Sequence, residues 1–355
     1  MGTHVIPPTT VADRLSQRVV GQDEAVRELS IVMSKRLGGL NAGNVLMIGS
    51  SGTGKTTLMR AVEDFLKSEP DLASRSLLVR VHANVLAEQT ERGRAGEALL
   101  LRLLAEARDQ LGKQASREDL LERVAQGIIF VDEIDKIRAH VGDQTNVAGI
   151  RAQEALLTLI ENESIPLSLP SWAGGETVTI DASGLLFVCA GAFEGLYDAV
   201  YNRVTIGRDR GALRAVSVVD GEQVREEMRF SLRDWMRYED LFEYGLTPQF
   251  LSRFDAVVLL QDLSQDELVQ IFLDSPESGY RQARAYFDAM GISLAVSPAA
   301  VRRIAAEAAL QPRLGARALK EVFRRVMARY EFEPEKSASD GTLMIDLHEV
   351  EAALS

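Results

Sequence analysis

A single cysteine, Cys189, occurs in 355 residues, which excludes an internal disulfide framework and a cysteine-rich zinc site and fits a reducing compartment. Long apolar runs are missing as well. None approaches the roughly 18 residues that span a bilayer, and the opening MGTHVIPPTT lacks the layout of a secretory signal, so a cytoplasmic protein with no membrane partner is expected. Positive charge is in deficit: 40 Lys and Arg stand against 52 Asp and Glu, a net charge of -12. Such a field repels nucleic acid unless a local basic patch opposes it, and the sequence offers no strong patch. Internal repeats and low-complexity tracts are absent too.

What remains is an ordinary globular composition, 46% hydrophobic and 26% charged. At this length one large and one smaller domain are expected. Residues 1–18, with Pro7-Pro8 ahead of a short amphipathic stretch, read as a loose arm. From Asp23 to Leu37 apolar residues recur at three- and four-residue spacing up to Gly38-Gly39, the pattern of a capped helix. Asn44 to Ile48 reads as a buried strand and Lys55 to Leu66 as a helix. Further strands are expected at 77–81, 128–132, 185–189 and 256–260, and helices at 97–111, 148–162 and 223–244. This alternation implies an α/β fold, a parallel sheet with helices on both faces. From Asp262 onward the pattern turns mainly helical, at 265–287, 298–310 and 316–332, with β-like pieces near Ser293 and Leu343. The expected division is an N-terminal arm at 1–18, a large domain at 19–261 and a small, mainly α-helical domain at 262–355. Residues 166–183 read as a hairpin or loop excursion, and 204–244, rich in Arg and Glu, as a solvated charged helix or a partner-binding insertion.

The run Gly49, Ser50, Ser51, Gly52, Thr53, Gly54, Lys55, Thr56 fits G-x-x-x-x-G-K-[ST] and lies between an expected strand and an expected helix, the context that this phosphate-binding motif requires. Glycines there let the backbone turn its N–H groups onto phosphate oxygens, and the helix N-terminus favours the anion. Lys55 would then contact the β- and γ-phosphates of ATP, Thr56 would ligate Mg2+, and Thr57 closes the nucleotide-facing run. Downstream, Gly127-Ile128-Ile129-Phe130-Val131-Asp132-Glu133 is an apolar strand ending in two acids, which are costly to bury unless they meet a cation. Asp132 is the candidate to orient Mg2+, and Glu133 the candidate to polarise the attacking water. The plainer alternative is an acidic pair at a helix N-terminus.

Three further stretches, Val19-Val20-Gly21-Gln22-Asp23-Glu24-Ala25, VDEIDK at 131–136 and GLTPQFLSRFD at 245–255, together with Leu314-Gly315-Ala316-Arg317, resemble AAA+ ATPases. The likeness is greatest to the ClpX and HslU group of Clp-type protein unfoldases. It extends over residues 19–333 and includes QEALLTLIE at 153–161 and LLFVCAGAF at 185–193. The resemblance implies a P-loop NTPase large domain with a helical lid, ATP hydrolysis and a homo-oligomeric ring, usually a hexamer. It also implies that Val19 and Val20 border the adenine, that Arg317 reaches the phosphates from the lid, and that Arg253 is an arginine finger directed at the neighbouring subunit's ATP. Read without that frame, an arginine more commonly ends in a surface ion pair.

The sequence departs from that group in the parts that grip and dock. The Gly-Tyr-Val-Gly pore loop of ClpX corresponds to Thr90-Glu91-Arg92-Gly93, and no aromatic residue occurs between Val81 and Phe130. A charged pair cannot pack apolar surface against an arbitrary chain as Tyr-Val does. The Ile-Gly-Phe tripeptide that engages a peptidase corresponds to Ile206-Gly207-Arg208. That change loses the side chain that fills an apolar pocket, which argues against a ClpP-like partner. The polar sensor at the end of the fourth strand would fall near Cys189-Ala190-Gly191 and has no clear candidate; Cys189 reads as a small buried residue. The expected function is a ring motor that remodels or unfolds a dedicated protein client or assembly. The alternative is a nucleotide-gated scaffold or regulator that binds ATP without threading polypeptide.

Overall fold

The computed structural model describes residues 5–69, 72, 76–91, 95–142, 144–161, 164–205, 214–220, 223–229, 232–334 and 341–355. The chain divides into two compact units, one of 1–42, 47–75 and 260–355, the other of 43–46 and 76–259.

The second unit is organised by a five-stranded sheet of β1 (Val45–Ile48), β2 (Leu77–His82), β3 (Gly127–Asp132), β4 (Leu186–Gly191) and β5 (Ala256–Leu259), in the order β5-β1-β4-β3-β2; β1 begins in this unit and runs on into the other. β2 and β3 pair in parallel from Leu77 opposite Gly127 to His82 opposite Asp132, and β3 pairs in parallel with β4 from Ile128 opposite Leu186 to Val131 opposite Cys189. Parallel neighbours need crossover connections, here built from helices such as Ala95–Leu111 and Val147–Glu161. Every residue of β1 and β4 is buried, and β3 is buried up to Asp132, as sheets flanked by helices require. Cys189 is fully buried, and that burial pushes its thiol pKa up. A separate hairpin pairs Ser164–Ser168 with Thr177–Asp181.

The first unit is mainly helical. Its C-terminal part buries Leu268, Phe272, Phe287, Ile304, Val322 and Phe323 around a two-stranded parallel pair, Ser293–Val296 with Thr342–Ile345. Phe272 stacks on Tyr280 and meets Phe323 edge-on. Four helices of this part begin at side chains that accept a hydrogen bond from the first turn: Ser264, Ser278, Ser297 and Asp346, each contributing about 1 kcal/mol.

Several expectations need correction. Residues 8–16 are not a loose arm: Pro8–Ser16 is a helix whose Val11 and Leu15 are buried and which packs on the helix Asp23–Leu37. The helix expected over 223–244 is instead a strand, Gln223–Arg229, antiparallel to Arg214–Asp220, followed by the helices Leu232–Trp235 and Tyr238–Tyr244. Val216, Val218, Val219 and Val224 favour the pleated conformation over the helix that the charges had suggested. The segment 265–287 is two helices, Gln265–Asp274 and Gly279–Asp288, because Pro276 disfavours helix at Ser275 and Ser278 starts the second.

Candidate nucleotide site

From Ile48 the loop 49–54 leads into the helix Lys55–Ser68, with Gly54 at the helix entrance at φ 109°. Gly52, at φ 75°, is approached so closely that a Cβ there would stand 2.1 Å from the Leu314 carbonyl oxygen. On the opposing turn Gly315 also has positive φ, 49°, and the Ala316 N–H donates to Gly52 O at 3.1 Å. Neither glycine could carry a side chain. The next residue, Arg317, donates from Nη1 to Ser51 Oγ at 2.5 Å. Lys55 Nζ donates to the carbonyls of Gly49 (2.5 Å) and Ser50 (2.9 Å), and buried Thr53 donates from Oγ1 to Ser50 O at 2.8 Å. Thr56 and Thr57 are half-buried in the first helical turn.

The run ahead of the first helix flanks the same loop. Val19 is buried, Val20 half-buried, and Gln22 exchanges two hydrogen bonds with the backbone of Gln261, Nε2 to O at 2.8 Å and N to Oε1 at 2.9 Å. A Cβ on Gly54 would lie 4.0 Å from Gln22 Cγ. Beside it, burial raises the pKa of the Asp262 carboxyl, against the pull of the Ser50 hydroxyl and the Arg313 charge. The side chains and glycines here form a backbone cradle edged by Lys55, Arg313 and Arg317. That donor set fits a polyphosphate.

In the other unit Asp132 closes β3 half-buried, opposite His82. Its Oδ1 accepts the Glu133 N–H at 2.9 Å, and Arg80 Nη2 stands 4.0 Å from Oδ2. Glu133 is exposed and holds φ 58°, ψ 39°, a left-handed conformation that costs a non-glycine residue about 1–3 kcal/mol. Such strain at an acid that ends a sheet strand is the kind found at working sites. After the turn Ile134–Ile137, Arg253 pairs its exposed guanidinium with Glu161, and its carbonyl accepts from Asn44 Nδ2 at 3.1 Å.

The family model for the AAA domain (Cdc48 subfamily) matches residues 40–257, more than half of the chain. The chain belongs to the AAA family. It binds nucleotide and hydrolyses ATP, with an AAA+ P-loop NTPase fold of ClpX-like, unfoldase-chaperone type. It is similar to the ATP-dependent Clp protease ATP-binding subunit ClpX 3 of Methylococcus capsulatus, 28% identical over 375 residues that cover 98% of this chain and 81% of that protein. The ATP-dependent Clp protease ATP-binding subunits ClpX of Porphyromonas gingivalis (29% over 367 residues) and Bacteroides fragilis (28% over 372 residues) are similar as well; each match covers 98% of this chain and 82% of the relative.

Against the AAA frame, sequence reasoning passed over several residues. Gln22 and Gln153 both lie inside stretches that carried the resemblance, yet neither was singled out. Asp135, the third acid of VDEIDK, is buried and accepts the Ala192 N–H at 3.1 Å. Gly191 permits this contact, since a Cβ there would lie 2.6 Å from Asp135 Oδ1. Arg92-Gly93 and Ile206-Gly207-Arg208 lie outside the described residues, as do the side chains of Thr90 and Glu91; the backbone is helical from Ala83 to Glu91. Among the described residues no helix is long and apolar enough to cross a membrane.

Proposed function

We propose that this AAA ATPase is the subunit of a homo-oligomeric, hexameric ring motor in the cytoplasm that remodels or unfolds a dedicated protein client or assembly without a ClpP-like peptidase. The observation that carries the motor reading is the turn 314–317 fastened to the P-loop: Ala316 holds Gly52, and Arg317 holds Ser51. A helical lid of 262–355 that grips the phosphate loop changes position when the phosphates change, which is how a hydrolysis cycle becomes movement. In this reading 19–261 is the large ATPase domain and 1–18 an N-terminal extension of it.

Within the site, the 49–54 backbone and Lys55 bind the ATP phosphates, and Val19 and Val20 border the adenine. Thr56 and Asp132 are the residues that would hold Mg2+, an ion that takes few protein ligands. Held there, the ion would supply charge neutralisation on the transferred phosphoryl group. Glu133 polarises the attacking water. Arg317 stabilises phosphate charge in the same chain, and Arg253, released from Glu161, does so in the neighbour. The names of the relatives tie them to a Clp protease; against that partnership here stands Arg208 in place of the docking Phe, and against generic threading stands Glu91-Arg92 in place of an aromatic pore loop.

Steady-state ATP turnover of the wild type, Glu133→Gln and Arg253→Ala, with mass by light scattering, tests the motor. Loss of turnover in both variants, with ring assembly of the wild type on ATP, supports it. A wild type that assembles on ATP and leaves a tagged reporter protein folded replaces it with the nucleotide-gated scaffold.

A further inference from the structure

Gln153 is a polar side chain only 1% exposed, in the middle of the apolar face of the helix Val147–Glu161. A buried amide is costly unless all of its donors and acceptors are used, and here they are. Its Nε2 donates to the Ile137 carbonyl at 2.8 Å and to the Gly245 carbonyl at 2.9 Å, and its Oε1 accepts the Thr247 N–H at 2.8 Å. The Gly245 carbonyl also accepts the Ala139 N–H at 2.7 Å. These partners lie at two functional ends of one unit. Ile137 ends the turn that starts at Glu133, while Thr247 starts the helix Pro248–Leu251, directly ahead of Arg253. The helix that carries Gln153 ends at Glu161, the ion-pair partner of Arg253, about 12 Å along its axis.

We propose that Gln153 is a positioning residue that ties the turn after Glu133 to the segment bearing Arg253, so that the acids serving a subunit's own ATP and the arginine it offers to its neighbour move as one body. A movement at the Glu133 turn then passes through one amide group and one helix to the guanidinium. The chemistry of the tie is specific. Methionine fills the space but neither donates nor accepts, and glutamate would face two carbonyl oxygens with a charge. The proposal rests on Arg253 acting in the neighbouring subunit.

Rings of mixed subunits test both. Q153M subunits keep their own acids and lose arginine placement; E133Q subunits keep the arginine and lose their own turnover. Q153M alone should hydrolyse ATP at least about tenfold more slowly than wild type, with little change in KM. Mixed one to one with E133Q, it should regain about a quarter of the wild-type rate, because half of the sites are intact and half of those stand beside an intact arginine in a closed ring. The control mixture of R253A with E133Q should behave alike. Recovery with R253A but none with Q153M overturns the role of Gln153 and leaves the arginine finger standing. No recovery in either mixture removes the arginine finger and the tie with it. Wild-type turnover by Q153M alone also overturns the proposal. If Q153M does not fold, Q153N, which is polar but too short to reach all three partners, is measured in the same mixtures.

Discussion

Where Gly52 of the P-loop meets Gly315, the backbones themselves come together, with the Ala316 N–H donating to Gly52 O, whereas around Gln153 one side chain fastens three separate stretches of backbone. Gly52 and Gly315 face each other with no room for a Cβ on either, so the requirement at both positions is the absence of a side chain. At Gln153 the requirement is reversed, since two donor hydrogens and one acceptor must all be present. The two regions should therefore fail in different ways. The two glycines should be sensitive to added volume, and Gln153 to loss of polarity even at equal volume.

The largest expected effect is at Gly52. Gly52→Ala adds a methyl that would stand 2.1 Å from the Leu314 carbonyl in a left-handed conformation, and should cost at least about 3 kcal/mol in thermal unfolding as well as weakening ATP binding. Gly112→Ala provides the contrast: it has φ 89° and nothing within 4 Å, so only the backbone strain of about 1–2 kcal/mol remains. Equal losses at the two positions would mean that the turn at 314–317 yields, and that the P-loop is not clamped by it.

Next comes polarity at Gln153. Gln153→Met takes their partner from the Ile137 carbonyl and the Thr247 N–H, leaves the Gly245 carbonyl with the Ala139 N–H alone, and should cost about 2–3 kcal/mol by denaturant melts. Gln153→Glu should cost more at neutral pH, where its carboxylate is ionised against two carbonyl oxygens. Burial would raise the pKa of that glutamate, so the extra loss should be absent below the usual carboxylate range and appear as the pH rises through the raised pKa. A Met variant as stable as the wild type would reduce the role of Gln153 to filling space.

The same contrast explains what the sequence disclosed. The P-loop was legible because its requirements fall on consecutive residues: glycines where the backbone closes in, then Lys55 and Thr56 at a helix start. The strands of the central sheet were legible as apolar runs, since parallel strands are covered on both faces. Gln153 was not, because a lone glutamine on a helix resembles a surface residue. Its burial depends on Ile137, Gly245 and Thr247, the last two more than 90 residues away. For the same reason the Glu161 partner of Arg253 could not be foreseen. Over 223–229 the expected helix rested on a composition rich in Arg and Glu, while Val216, Val218, Val219 and Val224 belong to a hairpin.

The smallest expected effect lies beside the P-loop, at the carboxyl of Asp262. Asp262 places a carboxyl near a loop built for anions, and burial raises its pKa despite the Ser50 hydroxyl and the Arg313 charge. A raised carboxyl pKa means that the folded form favours the protonated acid. The stability associated with it is present below the ordinary carboxylate pKa and lost as the pH rises through the raised value. ATP affinity should follow the same sign, weakening as Asp262 ionises beside the phosphates. Asp262→Asn should remove this pH dependence and tighten ATP binding at neutral pH, by a factor of about five or less because the residue keeps an exposed side. Fluorescence titration with a labelled ATP analogue across the carboxylate range reads it directly. If the variant binds more weakly at every pH, Asp262 serves instead as the anchor that holds Ser50 and Arg313 in place.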